Sequence, residues 1–224
     1  MSQITPTTGL QWAGYRTRIM PDPIKIGEKV PDVHLSRLAQ DGKTVIHFST
    51  GKELSEGPIA LFCVSKAFST LSDESFSEIV KAANTFKKLN VKLFCVAVNT
   101  RTEMFAWGQQ NHPAHKVNFI PDFAGDFVFS LGIGMDKSVE EHEGFVAKRA
   151  AIFLHNGKVM DIQVELDSKI SAENFLKRIL PILEANHLHC NEKSEGTGTL
   201  EISKTETKSG YDRVLVMMYA HNFS

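Results

Sequence analysis

The sequence predicts an α/β fold with a central mixed sheet flanked by helices, and three features carry that expectation. Residues 59–64 are a continuous apolar run of strand length, the mark of a strand covered on both faces. From Phe76 the apolar residues Ile79, Val80, Ala83, Phe86 and Leu89 recur at helical spacing, after which residues 91–98 return to strand character. Further on, His155-Asn-Gly-Lys158 separates two apolar runs, residues 150–154 and 159–166, and Asn-Gly in that setting is the strongest short hairpin signal.

The remaining elements follow in order. Ser69, Thr70 and Ser72 offer N-cap oxygens ahead of the first long helix. Thr100-x-x-Glu103 is a capping box that opens a second helix running to about Asn111. A short strand at residues 117–120, a short helix at 124–131 and a charge-rich loop at 136–144 lead to the hairpin. The last helix, from Ser171 to about His187, sets Phe175, Leu176, Ile179, Leu180 and Leu183 on one face, with Pro181 expected to bend it. A βαβα half followed by ββα is the thioredoxin-like order.

The 224 residues are 42% hydrophobic and 23% charged, a globular balance that excludes collagen-like, coiled-coil and wholly unstructured chains. Lys plus Arg number 25 and Asp plus Glu 26, so no basic field exists and no nucleic-acid partner is expected. No apolar run reaches the ~18 residues of a membrane helix, and no membrane partner is expected. Residues 24–190 form the expected domain. Residues 1–23 are read as a flexible arm, acid-free up to Pro21 and carrying Arg16 and Arg18. A cytoplasmic location is expected, with a mitochondrial presequence as the alternative reading of that arm. Of residues 191–210, 17 are Glu, Lys, Ser, Thr or Gly, too polar to bury a core. Residues 191–224 are therefore read as a flexible tail ending in a short apolar segment. Cys63, Cys95 and Cys190, odd in number and widely spaced, read as thiols of a reducing compartment.

The loop between a buried strand and a helix N-terminus is where open α/β sheets place their sites, because backbone N–H groups converge there and the dipole favours an anion. Here that loop is residues 64–73. Its Phe62-Cys-Val-Ser-Lys-Ala-Phe-Ser69 stretch is accompanied by Ile24-Lys-Ile-Gly-Glu-Lys-Val-Pro31, Val96-Ala-Val-Asn99, Ala106-Trp-Gly108, Ile120-Pro-Asp122 with Gly125, and Lys148-Arg149 ahead of a strand and Asn-Gly. Together, over about residues 24–185 and in consistent order, these resemble type II peroxiredoxins, the peroxiredoxin-5 class of the AhpC/TSA-redoxin family. The resemblance implies a thioredoxin-like domain, a homodimer, no cofactor, and thioredoxin or glutaredoxin as reducing partner. It also implies reduction of hydroperoxides by a cysteine in a Pro-x-x-x-Thr-x-x-Cys loop, assisted by a distant arginine. The helix N-terminus and the guanidinium lower the thiol pKa, the thiolate attacks the peroxide, and a second thiol reduces the sulfenic acid formed.

Carried over residue by residue, the resemblance puts Ser65 at the Pro position, Ser69 at the Thr position, Ser72 at the Cys position and Arg149 on the arginine, with Ser65 and Phe68 as binding residues. A serine hydroxyl is not ionised near neutral pH and lacks sulfur's nucleophilicity, and beyond Lys66 the matched segment offers no base. The same lack of a base argues against Ser72 as a hydrolytic nucleophile. The expectation is a peroxiredoxin-like protein that keeps Arg149 and a pocket for a hydroperoxide or small anion but acts by binding or regulation. The alternative is a type II thiol peroxidase carrying an engineered Cys→Ser exchange at Ser72. Ser65 and Thr70 also depart from the family's usual run, which favours a natural loss. Ser, Thr and Asp cluster at helix starts for capping alone, a role worth ~1 kcal/mol.

No other cysteine is expected to substitute. Cys63 and Cys95 fall within strands and read as packing residues. Cys190 is the expected exposed thiol; with His187 and His189 it forms a group read as incidental, so no metal is expected. Where the family has a resolving cysteine, this chain has Glu173 or its neighbours. His112 and His115 read as surface residues. Phe68, Phe76, Phe105, Phe119, Phe123, Phe127 and Phe129 cluster where the family has its dimer face and site rim; core packing accounts for most, and exposure around Phe68 and Phe127 would mark an interface or an apolar groove.

Overall fold

A computed structural model describes residues 19–111, 116–137, 144–165 and 170–192, with side chains to residue 185. The chain divides after Asn186 into two compact units, and the fold below is that of the first. The arm up to residue 18, His112, His115, His187, His189, Cys190 and the tail beyond 192 lie outside the residues or side chains described.

The chain enters through an antiparallel hairpin of β1 (His34–Leu38) and β2 (Val45–Ser49), followed by the single turn α1 (Thr50–Glu53). This hairpin was not anticipated: its strands mix polar and apolar residues without the long apolar runs that mark the central strands, and β2 is mostly exposed. Next come β3 (Pro58–Cys63), α2 (Thr70–Lys88), β4 (Lys92–Ala97), α3 (Arg101–Asn111), β5 (Asn118–Pro121) and α4 (Asp126–Ser130). A second small hairpin, β6 (Gly134–Asp136) with β7 (Phe145–Ala147), borders the charge-rich loop that was read as loop throughout. The chain then forms β8 (Ala150–His155), β9 (Lys158–Val164) and α5 (Ala172–Glu192), which continues through Pro181.

The central sheet has the order β5-β4-β3-β8-β9. β3, β4 and β5 are parallel, joined through α2 and α3, whereas β8 runs antiparallel to β3 and β9 to β8. The sheet is therefore mixed and thioredoxin-like, as the element order implied. The Asn-Gly signal becomes the β8–β9 turn, with Asn156 at φ 50° and Gly157 at φ 74°, the left-handed pair that a tight hairpin turn requires.

Pleating sends alternate residues to opposite faces. On one face Ala60, Phe62, Cys95 and Phe153 pack with Phe76 and Phe86 of α2, Trp107 of α3, and Phe175 and Ile179 of α5. On the other, Leu61, Cys63, Val96, Ile152 and Leu154 pack with Phe127, Val128 and Leu131 around α4. Phe127 is fully buried, so the exposure raised for its neighbourhood falls instead on Phe123. The N-cap position of α4 is Gly125, which has no side chain, and Asp122 caps in its place by accepting from Val128 N–H at 2.8 Å. Burial pushes the Asp122 carboxyl above its ordinary pKa, against the lowering effect of those helix N–H groups. At Gly132, φ is +68° and a Cβ would sit 2.1 Å from the Asp22 carbonyl oxygen, so only glycine lets residues 22–24 lie against this turn.

Candidate functional site

The carboxyl ends of β3 and β4 and the start of α2 enclose the loop the sequence singled out. Ser69, with extended φ and ψ, is the N-cap of α2, and its Oγ accepts from Ser72 N–H at 3.3 Å. The two hydroxyls are joined directly, with 2.8 Å between Ser69 Oγ and Ser72 Oγ. Ser69 Oγ also lies 3.0 Å from the Lys66 carbonyl oxygen, and Lys66 N–H points to Ser72 Oγ at 3.4 Å. One proton order satisfies every group: Ser69 donates to the Lys66 carbonyl, Ser72 donates to Ser69, and Lys66 N–H donates to Ser72. Ser72 is completely buried within this cycle. Its hydroxyl therefore has partners for both donor and acceptor roles, and none of them is a base.

The loop itself is pinned from the neighbouring strand. Ala67 N–H donates to Asn99 Oδ1 at 2.8 Å, and Asn99 Nδ2 donates to Glu103 Oε2 at 3.2 Å. Glu103 closes the expected capping box, accepting from Thr100 N–H at 2.9 Å while its own N–H donates to Thr100 Oγ1 at 3.2 Å. These bonds, with the Thr100 N–H bond the largest, hold the Glu103 carboxyl below its ordinary value. A depressed acid adds stability above its unfolded-state pKa and loses that contribution as pH falls through the folded one. The Glu103 carboxyl should thus titrate below the ordinary value of 4.5, with the Ala67 amide resonance following at the same midpoint. An Ala67 resonance indifferent to that titration would show that the Asn99 bridge does not couple them.

Phe68 is the backbone outlier of the loop. Among described non-glycine residues, φ is positive at Phe68, Asn90 and Asn156, and only asparagine accepts that region readily. A bulky residue held there costs of order 1–3 kcal/mol, strain that concentrates at functional sites. Phe68 is 49% exposed and Leu71 56%, so the rim of the loop is apolar. Ser65 is half-buried at the end of β3.

The other expected member, Arg149, precedes β8. Its guanidinium donates to Glu165 Oε1 at 2.7 Å and also forms an ion pair through Nε with Glu165 Oε2. It lines a small cavity of about 20 Å³ with Val64 and Ser75, the latter one helical turn beyond Ser72. Ser69 and Ser72 are thus brought into direct contact, while Arg149 stands beside the next turn of α2 and bonds to Glu165. Three contributors were missed: Asn99 as the loop's anchor, Glu165 as the arginine's partner, and Asp73, whose Oδ1 accepts from Trp107 Nε1 at 2.6 Å. None of the three has a local signal, because their pairings span 16 to 34 residues.

Cys63 and Cys95 are free and buried, 2% and 0% exposed. Burial pushes both thiols well above the ordinary cysteine range, so neither is a thiolate near neutral pH. They also point to opposite sheet faces, one in each core cluster. In a Cys190→Ser variant both should resist a thiol-reactive aromatic disulfide while the protein is native and react only on unfolding. Rapid native labelling would contradict their burial. Glu173 lies exposed on α5, paired with Lys177 at 2.9 Å. Among the described residues no helix is long and apolar enough to cross a membrane, and no cluster of His, Cys, Asp and Glu is arranged to hold a metal.

Comparison with known proteins agrees with this architecture. The Redoxin family profile matches residues 25–179. Peroxiredoxin-2E, chloroplastic, of Arabidopsis thaliana is 30% identical over 166 residues, covering 70% of this chain and 69% of that protein. Peroxiredoxin-2C of Oryza sativa subsp. japonica is 29% identical over 164 residues, 70% of this chain and 99% of that protein. Among solved structures, reduced Prx3 from Vibrio vulnificus in complex with H2O2 superposes with TM-score 0.63 at 27% identity, covering 73% of this chain and 98% of that one. Peroxiredoxin 5 from Alvinella pompejana gives TM-score 0.58 at 27% identity, over 65% and 92% of the two chains. With the Redoxin profile spanning the whole sheet and a peroxiredoxin at 30% identity across most of its length, the chain belongs to the peroxiredoxin family of thiol peroxidases.

Proposed function

We propose that this chain is a type II peroxiredoxin homologue in which Ser72 stands at the nucleophile position, and that it works by binding or regulation rather than by reducing hydroperoxides. The observation that carries the reading is the closed cycle of Ser72, Ser69 and Lys66 at the start of α2. A buried hydroxyl with both hydrogen-bonding roles filled, and without a base, braces the Ser69 cap and is not a nucleophile. The likeness to proteins named peroxiredoxin-2C, peroxiredoxin-2E and peroxiredoxin 5 supports the type II class. Both cysteines among the described side chains, Cys63 and Cys95, are buried, which supports the lack of a replacement thiol there.

Ser69 keeps a hydroxyl where the family has threonine, and Arg149 keeps a guanidinium held in place by Glu165. That arrangement suits a small anion or a hydroperoxide bound without reaction. The strained, half-exposed Phe68 and the exposed Leu71 form an apolar rim that suits the face of a homodimer. The test is steady-state hydroperoxide turnover by the unmodified chain, supplied with a thioredoxin or a glutaredoxin system. No turnover above the protein-free rate is expected. Turnover that persists after Cys190→Ser would overturn the reading, because Cys63 or Cys95 would then have to act as the reacting thiol.

A further inference from the structure

A second concave surface lies beside the carboxyl ends of the parallel strands, apart from Ser72. A groove of about 630 Å³ runs between the β1–β2 hairpin, the first turn of α3 and the loop at residues 121–126, and no residue of the 65–73 loop lines it. Crevices outside the carboxyl ends of parallel strands are where open α/β sheets bind ligands, and this volume falls in the range of small-molecule sites.

The chemistry of the lining is specific. Arg101 is exposed, makes one long hydrogen bond of 3.4 Å to Ser36, and has no carboxylate partner among the described residues. His34 and His47 share one face of the hairpin, because their cross-strand partners Ser49 and Ser36 alternate with the Leu35–Phe48 pair. Both imidazoles line the groove and add hydrogen-bonding nitrogens to the guanidinium. Phe123 lines it too and is 72% exposed, the most exposed aromatic ring among the described residues. Against these stands a single lining carboxylate, Asp126. An uncompensated guanidinium, a pair of imidazoles and a bare aromatic face within one groove form the complement of a ring that carries a negative charge.

We propose that this groove is a binding site for a small aromatic anion, a planar ring bearing a sulfonate, carboxylate or phosphate. Arg101 and the imidazoles take the charged group, and Phe123 stacks against the ring. The site is independent of Ser72, so it stands or falls separately from the reading of the loop.

The probe is 8-anilinonaphthalene-1-sulfonate, titrated into the full chain under native conditions and followed by fluorescence. Saturable binding of one probe per chain is expected. Arg101→Gln should weaken it about tenfold, the effect of one charge-assisted contact, and Phe123→Ser about fivefold. The uncharged analogue N-phenyl-1-naphthylamine should bind at least about tenfold more weakly than the sulfonate, for the same reason. Binding that is non-saturable, or unchanged in both variants, overturns the proposal. Equal binding of the charged and uncharged probes also overturns it, because the groove is then an apolar patch only. Light scattering supplies the last arm: if a second copy of the chain covers the groove, Arg101→Gln lowers the molar mass and probe binding rises on dissociation, which likewise overturns it.

Discussion

Trp107→Ala is expected to lower the unfolding free energy by about 3–5 kcal/mol, the range for emptying a fully buried aromatic site. Trp107 is 0% exposed and packs against Phe76 with ring centroids 4.5 Å apart and against Phe119 at 6.0 Å. Its Nε1 also donates to Asp73, the residue after Ser72, so the side chain ties the first turn of α2 to α3. Truncation removes the ring contacts, leaves a cavity between two helices and the sheet, and strips the carboxylate of a donor. Trp107→Phe keeps most of the packing and loses the donor, so its cost should be clearly smaller. Urea unfolding of the three proteins measures both. A loss below about 1 kcal/mol for Trp107→Ala would contradict its placement at the centre of this core.

Ser72→Cys is expected to give a chain that consumes about one equivalent of hydroperoxide and then stops. A thiol placed there sits in the first turn of a 19-residue helix, beside the Ser69 hydroxyl and the Lys66 N–H. Those groups favour the thiolate. The thiolate attacks one peroxide oxygen, the O–O bond breaks, alcohol or water leaves, and sulfur is oxidised to a sulfenic acid. Recycling needs a second thiol. Among the described residues Cys63 and Cys95 are buried within the sheet, and Glu173, where the resemblance puts the family's resolving cysteine, is exposed. Peroxide loss measured against added peroxide, with mass spectrometry of the product, gives the stoichiometry. A disulfide in place of the sulfenic acid in the product mass would contradict the absence of a resolving thiol, and no reaction at all would contradict the retention of the pocket.

Much of the fold was legible because the signals were local. The apolar run from Ile59, the helical spacing after Phe76, the Thr100–Glu103 box and the Asn156-Gly157 turn each become the element expected of them. The two small hairpins were not foreseen. β6 and β7 are three residues each, with the charge-rich stretch between them, and β1 and β2 carry half-exposed mixed residues, so neither pair shows a period long enough to read. At the site, the pairing of Ser69 with Ser72 follows from their spacing of three at a helix start. The contacts of Asn99 with Ala67, Trp107 with Asp73 and Arg149 with Glu165 depend on how separate elements meet, which spacing along the chain does not encode. Phe127 and Phe123 show the same: Phe127, on α4, turns into the core, whereas Phe123, on the loop before that helix, is left on the surface.

Hydroperoxide remaining after incubation with the unmodified chain and excess dithiothreitol tests the central claim most directly, with the triple variant Cys63→Ser/Cys95→Ser/Cys190→Ser alongside. If the buried Ser72 has replaced the nucleophile and no cysteine of the domain takes its role, both proteins should leave the peroxide decaying at the rate of dithiothreitol alone. Faster, catalytic decay with the unmodified chain would contradict that claim.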